Sequence, residues 1–252
     1  MPFANPGQTP SSATQLFILE VGKERVGFLQ SVDFPTTTQL TAQFGTGMSK
    51  SFYDWVSLCC QGMPVPKPGS LGTLNFQGKE IARVAWNSGQ IGELGFPALD
   101  AASRNPCTIG ITVDIRNAGV AASSSVPSMR VQQKRLLSCN FRLEIDGVEG
   151  SRVKTIGAFG LRHGRPSGPL VLTVSELHAG TFRAWQGAPG AKNASLDYLA
   201  PNMTPLLTLK FNNLTIAGID PAFPMGNANA TVRLKFSGLS LAAATAATQA
   251  YR

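Results

Sequence analysis

The sequence has little charge and few of the residues that most often do chemistry. Only 14% of its 252 residues are Asp, Glu, Lys or Arg, well below the roughly 25% that is usual for a soluble domain. His163 and His178 are its only histidines and have no HxH or HExxH spacing, no G-x-S-x-G segment occurs, and the 14 acidic residues are scattered. Metal sites, serine hydrolases and paired-carboxylate catalysts need such patterns. We therefore expect no enzyme activity, no metal and no cofactor.

The cysteines lack the spacing of a disulfide framework or a zinc site. Cys59 and Cys60 are adjacent, Cys107 and Cys139 stand alone, and no pair is spaced as CxxC. Both kinds of site need a different pattern. We interpret all four as small, reduced and buried residues of a protein made in a reducing compartment.

Targeting signals are also missing. The opening MPFANPGQTPSSATQ has neither a charged region nor an apolar core of the signal-peptide type. No apolar run approaches the roughly 18 residues that span a bilayer. We expect no signal peptide and no membrane segment.

One segment superficially suggests a phosphate-binding loop. Residues 44–51 read FGTGMSKS, but no Gly directly precedes Lys50, as the Walker pattern requires. The following SFYDWVSLCCQG (51–62) places Phe52, Trp55, Val56 and Cys59 at helical spacing. The segment therefore predicts a helix whose first amides are capped by Ser49 or Ser51.

What the sequence does contain is a repeat of alternating strands. QLFILEVG (15–22) matches NFRLEIDG (140–147), and the aromatic SFYDWVSLCCQG matches TFRAWQG (181–187). Two strands joined by a short turn follow at 72–86 and 205–219, and each half closes on a polar linker that leads into a last alternating strand, at 98–115 and 222–238. The same order of elements recurs about 124 residues apart, which indicates a duplicated domain.

The repeat predicts a mainly β protein with one short helix in each of two tandem small barrels or sandwiches. We predict an N-terminal arm at 1–14, a first domain at 15–118, and a Ser-rich linker at 119–138. A second domain follows at 139–240, and a low-complexity C-terminal tail occupies 241–252.

The second opening, FRLEIDGVEGSRVKTIGAFGL (141–161), resembles the phage tail tube family, whose domains begin with a strand of the form FxVEIDG. FYDWV (52–56), Ala85–Trp86 and CTIGITVDI (107–115) resemble the helix and later strands of that family. The family includes the tubes of contractile phage tails and the haemolysin-coregulated protein of type VI secretion. Its fold is a small β-barrel flanked by one helix, and six barrels form a ring around a channel.

The resemblance implies a structural protein that forms a trimeric, pseudo-hexameric ring in a phage tail or related contractile injection machine. Its implied partners are copies of itself, neighbouring tail, sheath or baseplate proteins, and non-specific DNA in the lumen. It would be assembled in the bacterial cytoplasm and reside in the virion tail or injection particle. In the family, a long hairpin between the second strand and the helix contacts the next ring. Both halves of this chain have fewer residues in that stretch. A single-ring adaptor, that is a tube initiator, hub or terminator, is therefore one alternative, and a tandem β-sandwich binding module is another.

All of the net charge of +8 lies in residues 126–252, which carry 14 basic and 6 acidic side chains. Such a half could attract nucleic acid, an anionic membrane or an acidic neighbouring subunit. Two basic clusters could touch DNA phosphates or another subunit, or could be solvated loops. They comprise Arg130, Lys134 and Arg135 in the linker, and Arg162, His163 and Arg165 in a Gly- and Pro-rich turn.

Overall fold

The structure is a computed structural model that describes residues 16–75, 77–122, 135–220 and 229–244. The predicted N-terminal arm, most of the predicted linker and most of the predicted C-terminal tail lie outside these residues. Within them, no helix combines the length and the apolar character that a membrane crossing requires.

The first half of the chain (residues 16–122) contains ten strands and one helix in the part that the structure describes. In chain order these are β1 (Leu16–Val21), β2 (Glu24–Leu29), β3 (Ser31–Thr36), β4 (Gln39–Phe44), α1 (Lys50–Cys60), β5 (Lys67–Leu74), β6 (Glu80–Phe96), β7 (Leu99–Asp100), β8 (Pro106–Cys107), β9 (Ile109–Arg116) and β10 (Gly119–Val120).

The second half (residues 135–244) contains a further ten strands, one α-helix and one 3₁₀ turn in its described residues. They are β11 (Leu136–Leu137), β12 (Phe141–Ile145), β13 (Val153–Ile156), β14 (Phe159–Arg162), β15 (Arg165–Pro166), β16 (Leu170–Ser175), the 3₁₀ turn (Glu176–His178), α2 (Gly180–Gly187), β17 (Lys192–Leu199), β18 (Pro205–Asp220), β19 (Asn229–Lys235) and β20 (Gly238–Ala243). The prediction of a mainly β fold with one helix in each half is confirmed.

The first sheet is antiparallel and curls into a nearly closed barrel. Its strand order is β2-β1-β5-β6-β9-β4-β3. The two end strands, β2 and β3, are consecutive in the chain and separated only by Gln30, whose amide donates to the Gln43 carbonyl. One bent segment therefore pairs with β1 at one end and with β4 at the other, which brings the two edges of the sheet together.

The second sheet repeats this order. Its path is β12-β17-β18-β19-β16-β13, and β20 pairs with β18 as β10 pairs with β6. The register repeats as well, because the pair Ser70–Ala85 of β5 and β6 corresponds to Ser195–Lys210 of β17 and β18, 125 positions later on both strands. The counterpart of β2 is reduced to a single bridge between Ile145 and Val148.

The irregularities of the long strands repeat with the same spacing. Pairing of β6 with β9 slips between Ile91 and Glu93, and pairing of β18 with β19 slips between Ile216 and Gly218, again 125 positions later. Bulges bend a strand and change its twist at a defined place. The two long strands are therefore bent at the same point, and equivalent residues can be matched one to one.

Alternating side chains build the core and the outer face of the first sheet. On β9, Ile109, Ile111, Val113 and Ile115 are buried, and the residues between them point outward, as the sequence pattern predicts. On the outer face, Gln39 bonds Asp114 and Thr41 faces Thr112 across β4 and β9.

Helix α1 begins where the sequence predicts. Ser49 caps it by accepting a hydrogen bond from the Phe52 amide at 3.3 Å, and the predicted apolar stripe is buried. We expected each helix to cover the sheet of its own half. Helix α2 packs on β18 of its own half, whereas α1 packs chiefly on β20, which belongs to the second sheet.

Candidate subunit-contact surface

The two halves are joined by strands that cross from one sheet to the other. Strand β14 of the second half pairs with the end of β6, with Phe159 opposite Phe96 and Arg162 opposite Glu93. Strand β7, which follows β6 in the first half, pairs with the outer edge of β13 in the second half. We call this arrangement of β6, β7, β13 and β14 the intrachain joint. It is a strand-addition contact, in which backbone amides and carbonyls of two units satisfy each other.

A column of aromatic rings runs through the joint. Phe96 stacks on Phe159 at 4.9 Å between ring centroids, Phe159 lies 5.7 Å from Phe211, and Phe211 meets Phe236 edge-on at 5.1 Å. All four side chains are buried and belong to one hydrophobic core that spans both halves. Aromatic pairs in such geometries stabilise by about 0.5–1.5 kcal/mol beyond the area that they bury. The joint is therefore a packed core rather than a surface contact.

The turn between β14 and β15 is the basic turn that the sequence singled out. Its two central residues, His163 and Gly164, have positive φ values of 49° and 75°, as a tight hairpin turn requires. The His163 amide donates to the Gly92 carbonyl of β6 at 2.6 Å. A Cβ on Gly164 would lie 2.5 Å from Gly62 Cα and 2.9 Å from the Cys59 carbonyl oxygen. The hairpin is thus seated tightly on the end of α1.

The predicted contact residues have separate surroundings in the structure. Arg162 forms an ion pair with Glu93 at 2.5 Å, on the side of the joint that faces solvent. The side chains of His163 and Arg165 are exposed, and Arg135 is exposed just before β11. Arg130 and Lys134 lie outside the described residues, so the linker cluster stays a prediction. The structure brings Arg162, His163 and Arg165 together in one turn.

An open groove of about 1120 Å³ lies beside this turn. Its lining comes from the β14–β15 hairpin, the end of β6 and the facing part of β4 and β9. The charged side chains that line it are Arg162, Arg165 and Glu93. Because one glutamate offsets one of the two arginines, the groove has only a weak positive charge. That charge does not match the many phosphate contacts that strong nucleic-acid binding needs.

A buried charge network links strands β1, β5 and β6 of the first sheet. The guanidinium of Arg83 binds both carboxylate oxygens of Glu80, at 2.7 and 2.6 Å, and also contacts Glu20 and Ser70. Burial raises the pKa of Glu20, but hydrogen bonds from Arg83, Ser70 and Arg25 outweigh it and hold that pKa below its ordinary value. At the matching place in the second half, Asp197 accepts from Arg142 and Thr208. Both networks cross-link neighbouring strands.

The cysteines form no disulfide with one another, and burial keeps two of them as protonated thiols. All four are free, Cys59 and Cys60 are buried, and Cys107 and Cys139 are partly buried. Burial raises the pKa of Cys59 and of Cys107 to about 11, so both thiols stay protonated near neutral pH. Within the described ranges, no three His, Cys, Asp or Glu side chains cluster as metal ligands.

Sequence reasoning missed the aromatic column and the crossing strands. The signal available was weak: a GF pair at 95–96 and an FG pair at 159–160, in which Gly permits close backbone approach. A Cβ on Gly160 would lie 2.6 Å from the Leu94 carbonyl oxygen, which shows why Gly is needed there.

Comparisons with known proteins add little to this picture. No family model matches the sequence, and no curated protein matches it. Among solved structures, the chain is similar to a type VI secretion system effector from Yersinia pestis, with a TM-score of 0.30 and 14% sequence identity. The match covers 40% of this chain and 96% of the effector. A likeness at this level carries no argument about this chain.

Proposed function

We propose that the chain is a ring-forming structural protein of a phage tail or a related contractile injection machine. In this proposal three chains make a ring of six similar units around a channel. The observation that supports it most is the repeated sheet, in which strand order, register and bulges recur 125 positions apart. A chain that carries two equivalent units already holds one third of a six-unit ring.

The intrachain joint supplies a physical model for how such units associate. It combines backbone pairing between β6 and β14 with a buried aromatic column. Exposed sheet edges are normally an aggregation hazard, but pairing that closes into a ring satisfies every edge. Such a protein needs rigid edges and a packed core, and no catalytic group.

A single-ring adaptor is the second candidate, and one observation favours it over a stacked tube. The connection between β3 and β4 consists only of residues 37 and 38, and the corresponding hairpin of the second half, β14–β15, is docked on the first half. Neither connection therefore extends as a long free hairpin toward a neighbouring ring. We propose that tail, sheath or baseplate proteins contact the ring faces, and that the particle assembles in the bacterial cytoplasm.

The proposal is tested on the purified full-length chain by light scattering coupled to size exclusion and by negative-stain microscopy. Three chains of 26.6 kDa correspond to a particle three times that mass, with six lobes around a central hole. Long tubes would favour the tube protein over the adaptor. A monodisperse monomer with no rings across the concentration range would contradict both.

A further inference from the structure

Helix α1 of the first half packs chiefly on β20 of the second half. The counterpart of β20 in the first half is β10, on which no helix of the described chain packs in that way. We propose that α2 of a second copy of the chain packs on β10 and the adjoining part of β6. This inference rests on the proposed ring and names one surface at which its chains meet.

The contact of α1 with β20 buries an apolar face of the second sheet. On β20, Leu239 and Leu241 are 2% and 5% exposed, whereas Ala242 is exposed. Because side chains alternate between the two faces of a strand, α1 covers the face that carries the leucines. Leu209 of β18 lies opposite Leu241 on this face and is fully buried.

The matching face of the first half is open in the part of the chain that the structure describes. The pairing of β5 with β6 recurs 125 positions later in β17 with β18, and β10 and β20 each pair with the second strand. This register gives three matched positions on the face, namely Ala82 with Leu207, Val84 with Leu209, and Val120 with Leu241. Val120 is 87% exposed, Ala82 is exposed and Val84 is only partly buried. The three matched leucines are at most 5% exposed, so the first half has an apolar face without its cover.

The occupant follows from the equivalence of the two helices. Trp55 of α1 and Trp185 of α2 match in the sequence repeat, and both are buried. Each indole N–H donates to a backbone carbonyl beyond its own helix at 2.8 Å, that of Val65 in the first half and that of Gly190 in the second. The two helices are therefore fixed to their own halves in the same way.

Helix α1 is buried around a wider arc than α2. Tyr53 and Val56 of α1 are 2% and 0% exposed. The side chains that match them in α2, Arg183 and Gln186, are exposed. Leu177, in the 3₁₀ turn just before α2, is 90% exposed. The second half thus has an uncovered helix side next to an exposed leucine, and the first half has an uncovered strand face.

The chemistry of the two surfaces suits a contact between chains that fold before they meet. The face at β10 offers aliphatic carbon, and the α2 side offers Leu177 and the stem of Arg183, whose guanidinium pairs with Glu176. Such interfaces combine a small apolar centre with a polar rim, and arginine is enriched in them. The two surfaces lie in different halves, so the contact is heterologous and can close a ring.

The experiment places a charge on the open face of the full-length chain. Val120→Arg should reduce the particle mass in light scattering from three chains to one, because the new charge would be desolvated next to Arg183. The circular dichroism spectrum should stay the same, since Val120 is 87% exposed within the chain. The matched control is Met203→Arg, at a 60% exposed side chain in the turn between β17 and β18, which should leave the mass unchanged.

A charge reversal on the helix tests α2 as the occupant. Adding Arg183→Glu to the Val120→Arg chain should restore the three-chain mass, because the new arginine would then face a glutamate. Loss of assembly in Val120→Arg without this rescue would overturn α2 as the element that packs on β10.

A variant on the other side of the contact keeps the test valid if Val120→Arg misfolds. Leu177→Arg changes a side chain that is 90% exposed, and it should also reduce the particle to single chains. Rings that persist in both Val120→Arg and Leu177→Arg would overturn this contact and leave the proposed ring standing. Filaments that dissociate in both variants would support the contact and contradict a three-chain ring. An unmodified chain that is monomeric at every concentration would overturn both proposals.

Discussion

Phe96 and Phe159 stack with their ring planes inclined by 20°, although they belong to opposite halves of the chain. The stack lies where β14 is added to β6, so Phe159 of the second half is a core residue of the first sheet. Side chains that hold two units together in this way affect the stability of both.

Phe159→Ala should lower the free energy of unfolding by about 3–5 kcal/mol, the range for a buried Phe in a packed core. Phe159 contacts both Phe96 and Phe211, so little nearby structure can move into the space left behind. Urea unfolding followed by fluorescence measures the change. The control Phe141→Ala, at a partly buried position of the same half, should cost clearly less. Equal losses of stability in the two variants would show that Phe159 at the intrachain joint contributes no more to stability than Phe141.

Arg83→Met should destabilise the fold by about 3–5 kcal/mol, since it leaves carboxylates without their buried partner. The side chains of Arg83 and Glu80 are only 7% and 1% exposed. Arg162→Met removes the joint's surface ion pair, in which Arg162 is 69% exposed, and should cost about 0–1 kcal/mol. Thermal unfolding of the two variants side by side checks the contrast. A larger loss for Arg162→Met would refute this ranking.

The free energy of unfolding should depend on pH in the acid range because of the Glu20 carboxylate. Its pKa in the folded state lies below the ordinary value of 4.5, so the folded protein binds this proton less readily than the unfolded chain. The contribution is present above about pH 4.5 and is lost as the pH falls through the folded pKa. Glu20→Gln should therefore be less stable than the parent at pH 6, and the gap should narrow toward pH 3. Urea midpoints at several pH values test this, and a constant gap would speak against it.

Gly164→Ala should lower the free energy of unfolding by about 1–3 kcal/mol or more. The alanine would have a left-handed backbone, and its Cβ would also collide with the backbone of α1. Two controls separate these causes. Gly78→Ala has the left-handed backbone but open space and should cost about 1–2 kcal/mol. Gly168→Ala, with open space and no positive φ, should change stability by less than about 0.5 kcal/mol. If Gly164→Ala matched Gly78→Ala, the seating of the hairpin on α1 would be unimportant.

Tyr198→Phe should keep or raise stability, by up to about 1 kcal/mol. The Tyr198 hydroxyl is buried and has no hydrogen-bond partner among the described residues, and burial raises its pKa. Tyr53 is also buried, but its hydroxyl donates to the Gly45 carbonyl at 3.3 Å. Tyr53→Phe should therefore lose about 0.5–1.5 kcal/mol. Calorimetry of both variants gives the comparison, and a clear loss in Tyr198→Phe would indicate a polar partner.

Local patterns predicted the parts of the fold that depend on neighbouring residues. The alternation on β9 and the helical spacing of Phe52, Trp55, Val56 and Cys59 both correspond to buried faces, and Ser49 caps α1 as predicted. These features are set within a few residues, so a single sequence is enough to reveal them.

The pairing of strands that lie far apart in the sequence could not be predicted from local patterns. Nothing in the segment around Phe159 distinguishes a strand of its own sheet from one added to the other half, because both need the same alternation. The basic turn at 162–165 was found as a cluster of charge, but its seat on α1 and its ion pair with Glu93 depend on contacts across the chain. The domain bounds stay predictions, since strands are shared across them.

The crossing of β7 and β14 also constrains the order of events during synthesis. The chain emerges from the ribosome N-terminus first, and the end of β6 gains its β14 partner only after Arg162 has been made. Until then the end of β6 presents an unpaired edge beside an unfilled core, the kind of surface on which nascent chains aggregate. The two halves therefore fold as one cooperative unit. Slow translation between residues 97 and 158 would prolong the time during which the end of β6 is exposed.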